Sequence, residues 1–338
     1  MSKVIVGPCS YLVLLGGGKF LVELAKLAKE VGYVVKVVTS PRHAEEYVYE
    51  GLTLIDSLKK EQVELHVVED IRKKYISDYL KSINSESFYL SLGAAWIFKE
   101  DYISDVFDGR LFNMHGTRLP QNRGGGGFSW QIMMGNRFGF CVLHLIDGGV
   151  DTGNIVDYKE FIYPYTCRLP IDYTNYSIDK NLTFILNIIT LIHKKQKYFN
   201  LITQNHYLST YWPRLSQDTG SWIDWSVEAE YVERFICAFD DPYKGARTTI
   251  NGKLVRIKKV HVNYQDGAFH PYQDGIVYRK GPEWICVALS GTSLVIESVT
   301  SEKDGSDFLP LVNEGDRFIT AQQNLKDNKK RINYSPIG

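Results

Sequence analysis

The stretch FNMHGTRLPQNRGGGGFSW (112–130) carries residue types that can do chemistry. Asn113 and His115 stand one residue apart at the end of an apolar run, and Asp151 follows in the tract LIDGGVDTGNIV. An asparagine can donate to a developing oxyanion, a histidine can move a proton, and an aspartate can hold the imidazole and raise its basicity. The three types suit acyl transfer without a covalent nucleophile. Because Asn and Asp are also common in turns, a structural role stays open on residue types alone.

A second candidate is the run Gly16-Gly17-Gly18 ahead of a helical pattern. Glycine-rich turns between a strand and a helix cradle dinucleotide phosphates. Here Leu21 replaces the third glycine of that fingerprint, and Thr39-Ser40-Pro41 stands where the ribose-binding acid is expected. We therefore interpret the run as a tight turn of the fold.

Cysteine and metal chemistry are disfavoured. Cys141 and His144 lie three residues apart in a strand pattern, so they are expected to face opposite sides, which excludes a nucleophile and base pair. The eight histidines form no HxH or HxxxH pair, and the five cysteines form no CxxC pair. We expect no metal, no disulfide framework and a reduced, cytoplasmic protein.

Strand and helix patterns alternate over the first half of the chain, as in a doubly wound, Rossmann-like α/β domain with a parallel sheet, which we assign to residues 1–205. The predicted strands are Lys3–Val6, Tyr33–Val38, Val63–Val68, Phe88–Leu92 and Leu111–Met114, and the predicted helices are Phe20–Val31, Ile55–Glu61, Ile71–Ile83 and Ser177–Lys195. The carboxyl edge of such a sheet binds ligands, and Asn113 and His115 leave it there.

A different pattern follows residue 205. Residues 206–220 are polar and indicate a linker. From 221 to 338, one helix (Ser226–Phe239) precedes short strands separated by turn dipeptides such as Asn251-Gly252, which predicts a small antiparallel, OB-like β-barrel. This barrel is a candidate surface for a homodimer. The final LKDNKKRINYSPIG is expected to be a solvated tail.

Charge and hydropathy restrict the partners. In 338 residues, 39 basic side chains balance 39 acidic ones, so no bulk positive field attracts nucleic acid or an anionic membrane. The apolar stretch near the start is about ten residues, too short for a membrane span, and it lacks the features of a signal peptide. We expect neither a nucleic-acid nor a membrane partner.

The spacing of the central motif is specific enough to identify a resemblance. It is similar to the folate-dependent formyltransferase family, which includes glycinamide ribonucleotide, methionyl-tRNA and sugar N-formyltransferases. The matching positions are Asn113-x-His115-x-Thr117-x-Leu119-Pro120-x-x-Arg123-Gly124, Trp130-x-Ile132-x-x-Gly135, Gly139, His144 and Asp147-x-x-x-Asp151-x-Gly153-x-Ile155. The segments YWPRLSQDTGSWIDW (211–225), 235–257 and 313–318 resemble the linker and smaller C-terminal domain of that family.

The resemblance implies N10-formyltetrahydrofolate as co-substrate and Asn113, His115 and Asp151 as catalytic residues. The pterin is expected in a cleft between two loops. Its predicted contacts are Gly93, Ala95, Trp96 and Ile97 in the first loop and Asp147 and Gly149 in the second. An amine would attack the formyl carbon, with the oxyanion against Asn113 and His115, and no metal is implied.

The resemblance is greatest to the sugar members, so the expected acceptor is a nucleotide-linked, dideoxy amino sugar for a surface glycan. Leu143-His144 and Tyr211-Trp212-Pro213-Arg214 are similar to sugar-member motifs. Arg214 suits a pyrophosphate, and an aromatic ring suits a base or sugar. The predicted acceptor contacts are Arg123, Gly124, Trp130, Tyr211, Trp212 and Arg214.

One departure concerns the glycines. Relatives commonly show Arg-Gly-x-x-Pro, whereas this chain has Arg123 followed by Gly124 to Gly127, which predicts a loose loop that a bulky ligand can approach. Three alternatives stay open from the sequence: methionyl-tRNA as the acceptor, hydrolysis of the formyl donor, and a non-enzymatic member that binds a nucleotide sugar.

Overall fold

A computed structural model describes residues 2–93 and 95–330 of the chain. The first part alternates strands with helices. Its elements are β1 (Lys3–Val6), β2 (Tyr11–Gly16), α1 (Lys19–Val31), β3 (Val34–Thr39), α2 (Pro41–Ala44), β4 (Tyr47–Tyr49), β5 (Leu52–Thr53), α3 (Leu54–Lys60), β6 (Glu64–Val67), α4 (Lys74–Ser82), β7 (Ser87–Leu92), α5 (Glu100–Phe107), β8 (Leu111–His115), β9 (Arg123–Gly124), α6 (Gly127–Met133), β10 (Phe138–Leu145), β11 (Ile155–Ile162), α7 (Pro170–Lys194) and β12 (Lys197–Asn200).

The second part is mostly strands. Its elements are β13 (Tyr211–Trp212), α8 (Ala229–Ala238), β14 (Ala246–Ile250), β15 (Lys253–Asn263), β16 (Val277–Lys280), β17 (Ile285–Leu289), β18 (Thr292–Ser301), β19 (Phe318–Ile319) and α9 (Gln322–Asn328).

A seven-stranded sheet with the order β11-β10-β8-β7-β2-β3-β6 organises the first part. The strands from β8 to β6 in that order run parallel, while β10 is antiparallel to β8 and β11 to β10. Residues of α1, α3 and α7 cover one face, and residues of α4 and α5 cover the other. The predicted doubly wound α/β domain is therefore confirmed.

The first strand of this sheet differs from the prediction. Lys3–Val6 pairs only with β12, in an antiparallel ribbon outside the main sheet, and most of it is not buried. The strand between β3 and β7 is instead Tyr11–Gly16, which the predicted strands omitted. Its continuous run YLVLLG has no alternation because side chains on both faces are buried, as is usual for a central parallel strand.

The long helix also begins earlier than predicted. The sequence indicated Ser177–Lys195 from an aliphatic stripe, whereas α7 spans Pro170–Lys194. Tyr173, in its second turn, packs in the core of the C-terminal sheet, and Ile185 packs against the main sheet. The helix thus contributes side chains to two hydrophobic cores. Only the part that faces the main sheet has aliphatic residues at helical spacing.

The C-terminal part is a curled antiparallel half-barrel, as the turn dipeptides predicted. Its six strands have the order β16-β17-β18-β15-β14-β19. Ile132, Tyr163 and Tyr173 from the first part belong to the same core. The limits 1–205, 206–220 and 221–338 stay predictions, because this core extends across them.

The expected solvated tail is wrong for its first residues. Gln322–Asn328 is a helix, and the Asn328 side chain accepts from the backbone N–H of Trp222 and donates to its carbonyl. Residues 331–338 lie outside the described part of the chain. Within the described residues, no helix has the length and apolar character to cross a membrane.

The turn after β2 gives a test of the glycine run. Gly16 has φ +128°, and a Cβ there would lie 1.7 Å from the carbonyl oxygen of Leu92, its backbone neighbour on β7. Gly18 has φ +90° but no atom within 4 Å of a Cβ. We expect Gly16→Ala to lower the free energy of unfolding by about 4 kcal/mol or more, because backbone must move. Gly18→Ala should cost only about 1–3 kcal/mol of backbone strain.

Chemical denaturation of both variants measures this difference. Equal losses would show that the run is not constrained by the close approach of β7.

Candidate active site

Strand pairing brings the candidate residues together at the carboxyl end of β8. Asn113 and His115 are separated by one residue in a strand, so both side chains point to one face of the sheet. In the antiparallel pairing of β10 with β8, His144 is directly opposite Asn113. Cross-strand partners share a face, and His144 therefore joins the site.

Cys141 is excluded from that face. It lies in the core with residues of α7, as the strand alternation predicted, and burial raises the pKa of its thiol to about 11. A thiol with such a pKa is almost entirely protonated near neutral pH, so Cys141 has no nucleophilic role.

His144 fixes the orientation of Asn113. The carbonyl oxygen of Leu145 lies 2.8 Å from Nδ1 of His144 and can only accept, so Nδ1 carries the proton. Nε2 then accepts from Nδ2 of Asn113 at 3.0 Å. One amide N–H of Asn113 is thereby held, and the other is left to donate to a reacting oxygen.

The burial of His144 keeps this arrangement neutral. Its side chain is only 2% exposed, and burial, with the neighbouring His115, lowers its pKa to about 4 against the partial opposition of Asp151. The imidazole is therefore uncharged at neutral pH and acts as a hydrogen-bond acceptor. The sequence placed His144 in the family motif but assigned it no role in the site.

His115 is held from its outer nitrogen. Nε2 lies 2.8 Å from the carbonyl oxygen of Asn122 and 2.7 Å from Oγ1 of Thr117, and Thr117 itself donates to that carbonyl. Because the carbonyl can only accept, Nε2 is the donor. Nδ1 is left facing Oδ1 of Asp151 at 3.7 Å. The nitrogen that can exchange a proton with substrate is therefore Nδ1.

Asp151 is held in an unusual backbone conformation, with φ 53° in the left-handed region. Its Oδ2 accepts from the backbone N–H of Gly124 at 2.9 Å, and its backbone carbonyl accepts from Nε2 of Gln204 at 2.9 Å. Oδ1 lies 3.7 Å from both His115 and His144. Non-glycine residues in this region persist where surrounding contacts over-determine them, often at functional sites.

The predicted donor loops are adjacent. Gly148 donates its backbone N–H to the carboxylate of Glu100, which begins the helix after the first loop. In the second loop, Oδ1 of Asp147 accepts from the N–H of Gly149 at 3.1 Å and from the hydroxyl of Thr152. In the first loop, the Trp96 indole donates to the carbonyl of Glu69, Ala95 is half-buried, and Gly93 is exposed and next to Gly17. Residue 94 lies outside the described part.

One predicted acceptor contact, Arg123, has partners within the protein. Arg123 is 6% exposed, and its guanidinium donates to Oε1 of Gln204 at 2.7 and 3.1 Å and lies 3.2 Å from Nδ1 of His206. Each of its three guanidinium nitrogens has a partner within the protein, and its contact with an acceptor stays a prediction. Gln204, which is 3% exposed, donates in turn to the carbonyls of Asp151 and Gly153.

The remaining predicted acceptor residues lie along the linker. Trp130 and Trp212 have ring centroids 5.2 Å apart, and their indoles donate to the Pro213 carbonyl and to Oδ1 of Asn122. Tyr211 is 52% exposed, and Arg214 passes close to Gly125. Their contact with an acceptor stays a prediction.

The glycine loop is close-packed, contrary to the expectation of a loose loop. Gly124 has φ +98°, and a Cβ there would lie 2.3 Å from the carbonyl oxygen of Trp212. A Cβ on Gly127 would lie 2.9 Å from Cγ2 of Thr117. The cavity between the loop and the two tryptophans is about 10 Å³, room for one water at most. Trp212 and Arg214 of the linker therefore lie where side chains on Gly124 and Gly125 would otherwise be.

The ligand atoms of His115, His144 and Asp151 all lie within 4.8 Å of one another, a grouping that could hold a metal ion. Histidine spacing along the chain does not reveal this group, because strand pairing and a turn assemble it. In the described structure Nε2 of His144 already accepts from Asn113. Hydrogen bonds therefore account for the arrangement of all three side chains.

Sequence comparison supports the resemblance. Residues 215–309 match the formyl transferase C-terminal domain family. The chain is 28% identical over 192 residues to the methionyl-tRNA formyltransferase of Desulfotalea psychrophila, covering 56% of each chain. It is 26% identical over 279 residues to that of Agathobacter rectalis, covering 80% of this chain and 85% of the relative. The match thus spans about half of one relative and most of the other.

Solved structures share the fold. The sugar 3N-formyl transferase WlaRD, solved with dTDP and 5-N-formyl-THF, has a TM-score of 0.61 at 16% identity, covering 85% of this chain and 97% of that one. The N-formyltransferase of Helicobacter canadensis, in complex with folinic acid and dTDP-3-aminofucose, has a TM-score of 0.60 at 18% identity, with 85% and 98% covered. HypX of Aquifex aeolicus has a TM-score of 0.58 at 18% identity, with 87% and 45% covered.

The pKa of His144 predicts a pH dependence of stability. Its folded pKa of about 4 is below the ordinary value of 6.5, so the unfolded chain binds a proton that the folded chain resists. This stabilising contribution is fully present above pH 6.5 and is lost as the pH falls toward 4. The loss of stability reaches on the order of 2 kcal/mol at pH 5. His144→Gln, which has no titrating group, should lose less stability between pH 7 and pH 5. Urea denaturation at both pH values measures the difference, and parallel losses in the two proteins would contradict it.

Proposed function

We propose, since this chain belongs to the formyltransferase family, that it moves a formyl group from N10-formyltetrahydrofolate to the amino group of a nucleotide-linked amino sugar. The observation that carries the proposal is the assembly of Asn113, His115 and Asp151 on one face. Nδ1 of His115 lies 3.7 Å from the carboxylate of Asp151, and Asn113 is oriented by His144. A protein that only binds sugars has no need of this arrangement.

The chain's own groups have distinct parts in the reaction. The free amide N–H of Asn113 donates to the formyl oxygen as it gains negative charge. Nδ1 of His115 takes a proton from the attacking amine, and the carboxylate of Asp151 balances the charge on the imidazole. His115 then passes this proton to the N10 nitrogen of the donor as the bond between N10 and the formyl carbon breaks, which releases tetrahydrofolate. Nε2 of His115 stays bonded to the Asn122 carbonyl, so the ring keeps its orientation during the transfer.

The walls beside the site fit a folate. Ile97 on one predicted loop is 64% exposed, and Val150 on the other is 47% exposed. The bond between Gly148 and Glu100 holds the two walls together. Exposed apolar side chains on adjoining loops suit a flat aromatic ring, while backbone groups suit its polar edge. The bound folate supplies an activated formyl carbon.

Two arginines favour an anionic acceptor. Nη2 of Arg42 lies 3.0 Å from Nε2 of His43, close to the carboxyl end of β3. Burial lowers the pKa of His43, and the charges of Arg42 and Arg214 lower it further while Glu46 opposes them. Two guanidinium groups near the carboxyl edge of the sheet suit the diphosphate of a nucleotide sugar. The names of WlaRD and the Helicobacter canadensis protein support the same class.

Methionyl-tRNA is a second candidate acceptor, favoured by the names of the sequence relatives. Its binding requires Lys and Arg to neutralise several phosphates, which makes affinity fall steeply with salt. The balanced charge of 39 basic and 39 acidic residues favours the smaller acceptor.

A panel of nucleotide-linked amino sugars, with formyl transfer measured for each, separates the candidates. We expect at least one amino sugar to be formylated and tRNA binding to be weak and insensitive to salt. Tight tRNA binding whose affinity falls steeply with salt would identify tRNA, and not an amino sugar, as the acceptor. If formate is released at a rate that no acceptor changes, the reaction is hydrolysis of the formyl donor and not formyl transfer.

The catalytic assignment has its own test. We expect Asp151→Asn and His115→Ala each to lower kcat by about a hundredfold or more, because charge balance or proton transfer is lost in the transition state. Acceptor binding should stay within about twofold. The matched controls Asp157→Asn and His261→Ala change exposed residues elsewhere and should retain activity. Near wild-type turnover in either site variant would remove that residue from the mechanism.

A further inference from the structure

The segment of residues 204–214, here called the strap, runs along the loop that follows His115. The N–H of Thr210 donates to the carbonyl of Pro120, and the N–H of Arg123 donates to the carbonyl of Thr210. The N–H of Gly125 then donates to the carbonyl of Trp212 at 3.0 Å. β13 within the strap pairs in parallel with β9. The backbone of the strap is therefore hydrogen-bonded to the loop that follows His115.

Asn122 connects the strap to His115. Its carbonyl oxygen accepts from Nε2 of His115 and from Thr117, so it is the group that aims the imidazole. Its side-chain Oδ1 accepts from Nε1 of Trp212 at 3.1 Å. Both ends of Asn122 are thus bonded, one to the strap and one to the catalytic ring.

Gln204 connects the strap to Asp151. Its Nε2 donates to the carbonyls of Asp151 and Gly153, and its Oε1 accepts from Arg123. With the N–H of Gly124 on Oδ2 of Asp151, these bonds hold a residue that is in the left-handed backbone region. The strap is therefore bonded directly to Asp151 and, through Asn122, to His115.

We propose that the strap positions the catalytic pair, with Trp212 acting on His115 through Asn122 and Gln204 acting on Asp151. Trp212 was predicted as an acceptor contact, and its indole N–H is instead used for Asn122. Trp212 is then a positioning residue, whose loss changes the rate of the chemical step more than acceptor binding. The kinetic part of this inference rests on the proposed function.

Two bonded indole N–H groups supply a matched pair of variants. Trp212→Phe removes the N–H bound to Asn122 and keeps an aromatic ring, while Trp225→Phe removes a buried N–H bound to Oγ1 of Thr248 in the C-terminal core. We expect Trp212→Phe to lower kcat about tenfold, since small misplacements of catalytic groups are costly, with KM for the acceptor within about twofold. Trp225→Phe should keep kcat within about twofold.

Asn122→Ala tests the connection from its other end. It removes the acceptor of the indole, so it should lower kcat as Trp212→Phe does, and the double variant should be no slower than the slower single one. Additive losses would overturn the link between Trp212 and His115. A rise in KM at unchanged kcat in Trp212→Phe would show instead that Trp212 binds the acceptor.

Nitrogen NMR of the His115 ring is independent of turnover. We expect the Nε2-protonated form to dominate in the wild-type chain and in Trp225→Phe, and to be less populated in Trp212→Phe and Asn122→Ala. The His115→Ala variant assigns the signals. Unchanged His115 signals in Trp212→Phe and in Asn122→Ala would overturn the proposal. Because this measurement needs no turnover, the expected changes would support the positioning role of the strap even if no acceptor were formylated.

Discussion

The hydrogen bond between Asn113 and His144 depends on a change of strand direction in the main sheet. β10 is antiparallel to β8, whereas the strands on the other side of β8 are parallel. In this antiparallel register, His144 faces Asn113 across the ladder. Asp151, in the turn after β10, has its Oδ1 3.7 Å from both His115 and His144. The chemistry is thus built where the sheet changes its pairing.

Burial then gives the two histidines different parts. His144 is enclosed, is held neutral and is bonded through both nitrogens, so it serves to orient the amide of Asn113. His115 is bonded at Nε2 and has Nδ1 toward Asp151. Two imidazoles with ring centroids 6.2 Å apart are therefore distinguished by their burial and by their hydrogen-bond partners.

The glycine loop and the strap illustrate how packing alters the meaning of a sequence feature. Four consecutive glycines predict freedom when the chain is considered locally. In the folded chain, Gly124 meets the Trp212 backbone and Gly127 meets Thr117, so the missing side chains permit close contact. Arg123 shows the same change, because a cation expected to meet substrate is bonded inside to Gln204.

The sequence by itself determined the fold class, the parallel strands near the site and the residues Asn113, His115 and Asp151, since period, turn residues and motif spacing are local properties of the chain. It omitted Tyr11–Gly16, whose two buried faces remove the alternation that marks a strand. Tertiary structure alone decided that His144 orients Asn113, that Asn122 is bonded to His115 and Gln204 to Asp151, and that the glycines are close-packed. Each of these depends on pairing register or on hydrogen bonds between segments as much as 90 residues apart, as for Asn122 and Trp212. Such contacts form only when the whole domain has folded, and no local pattern encodes them.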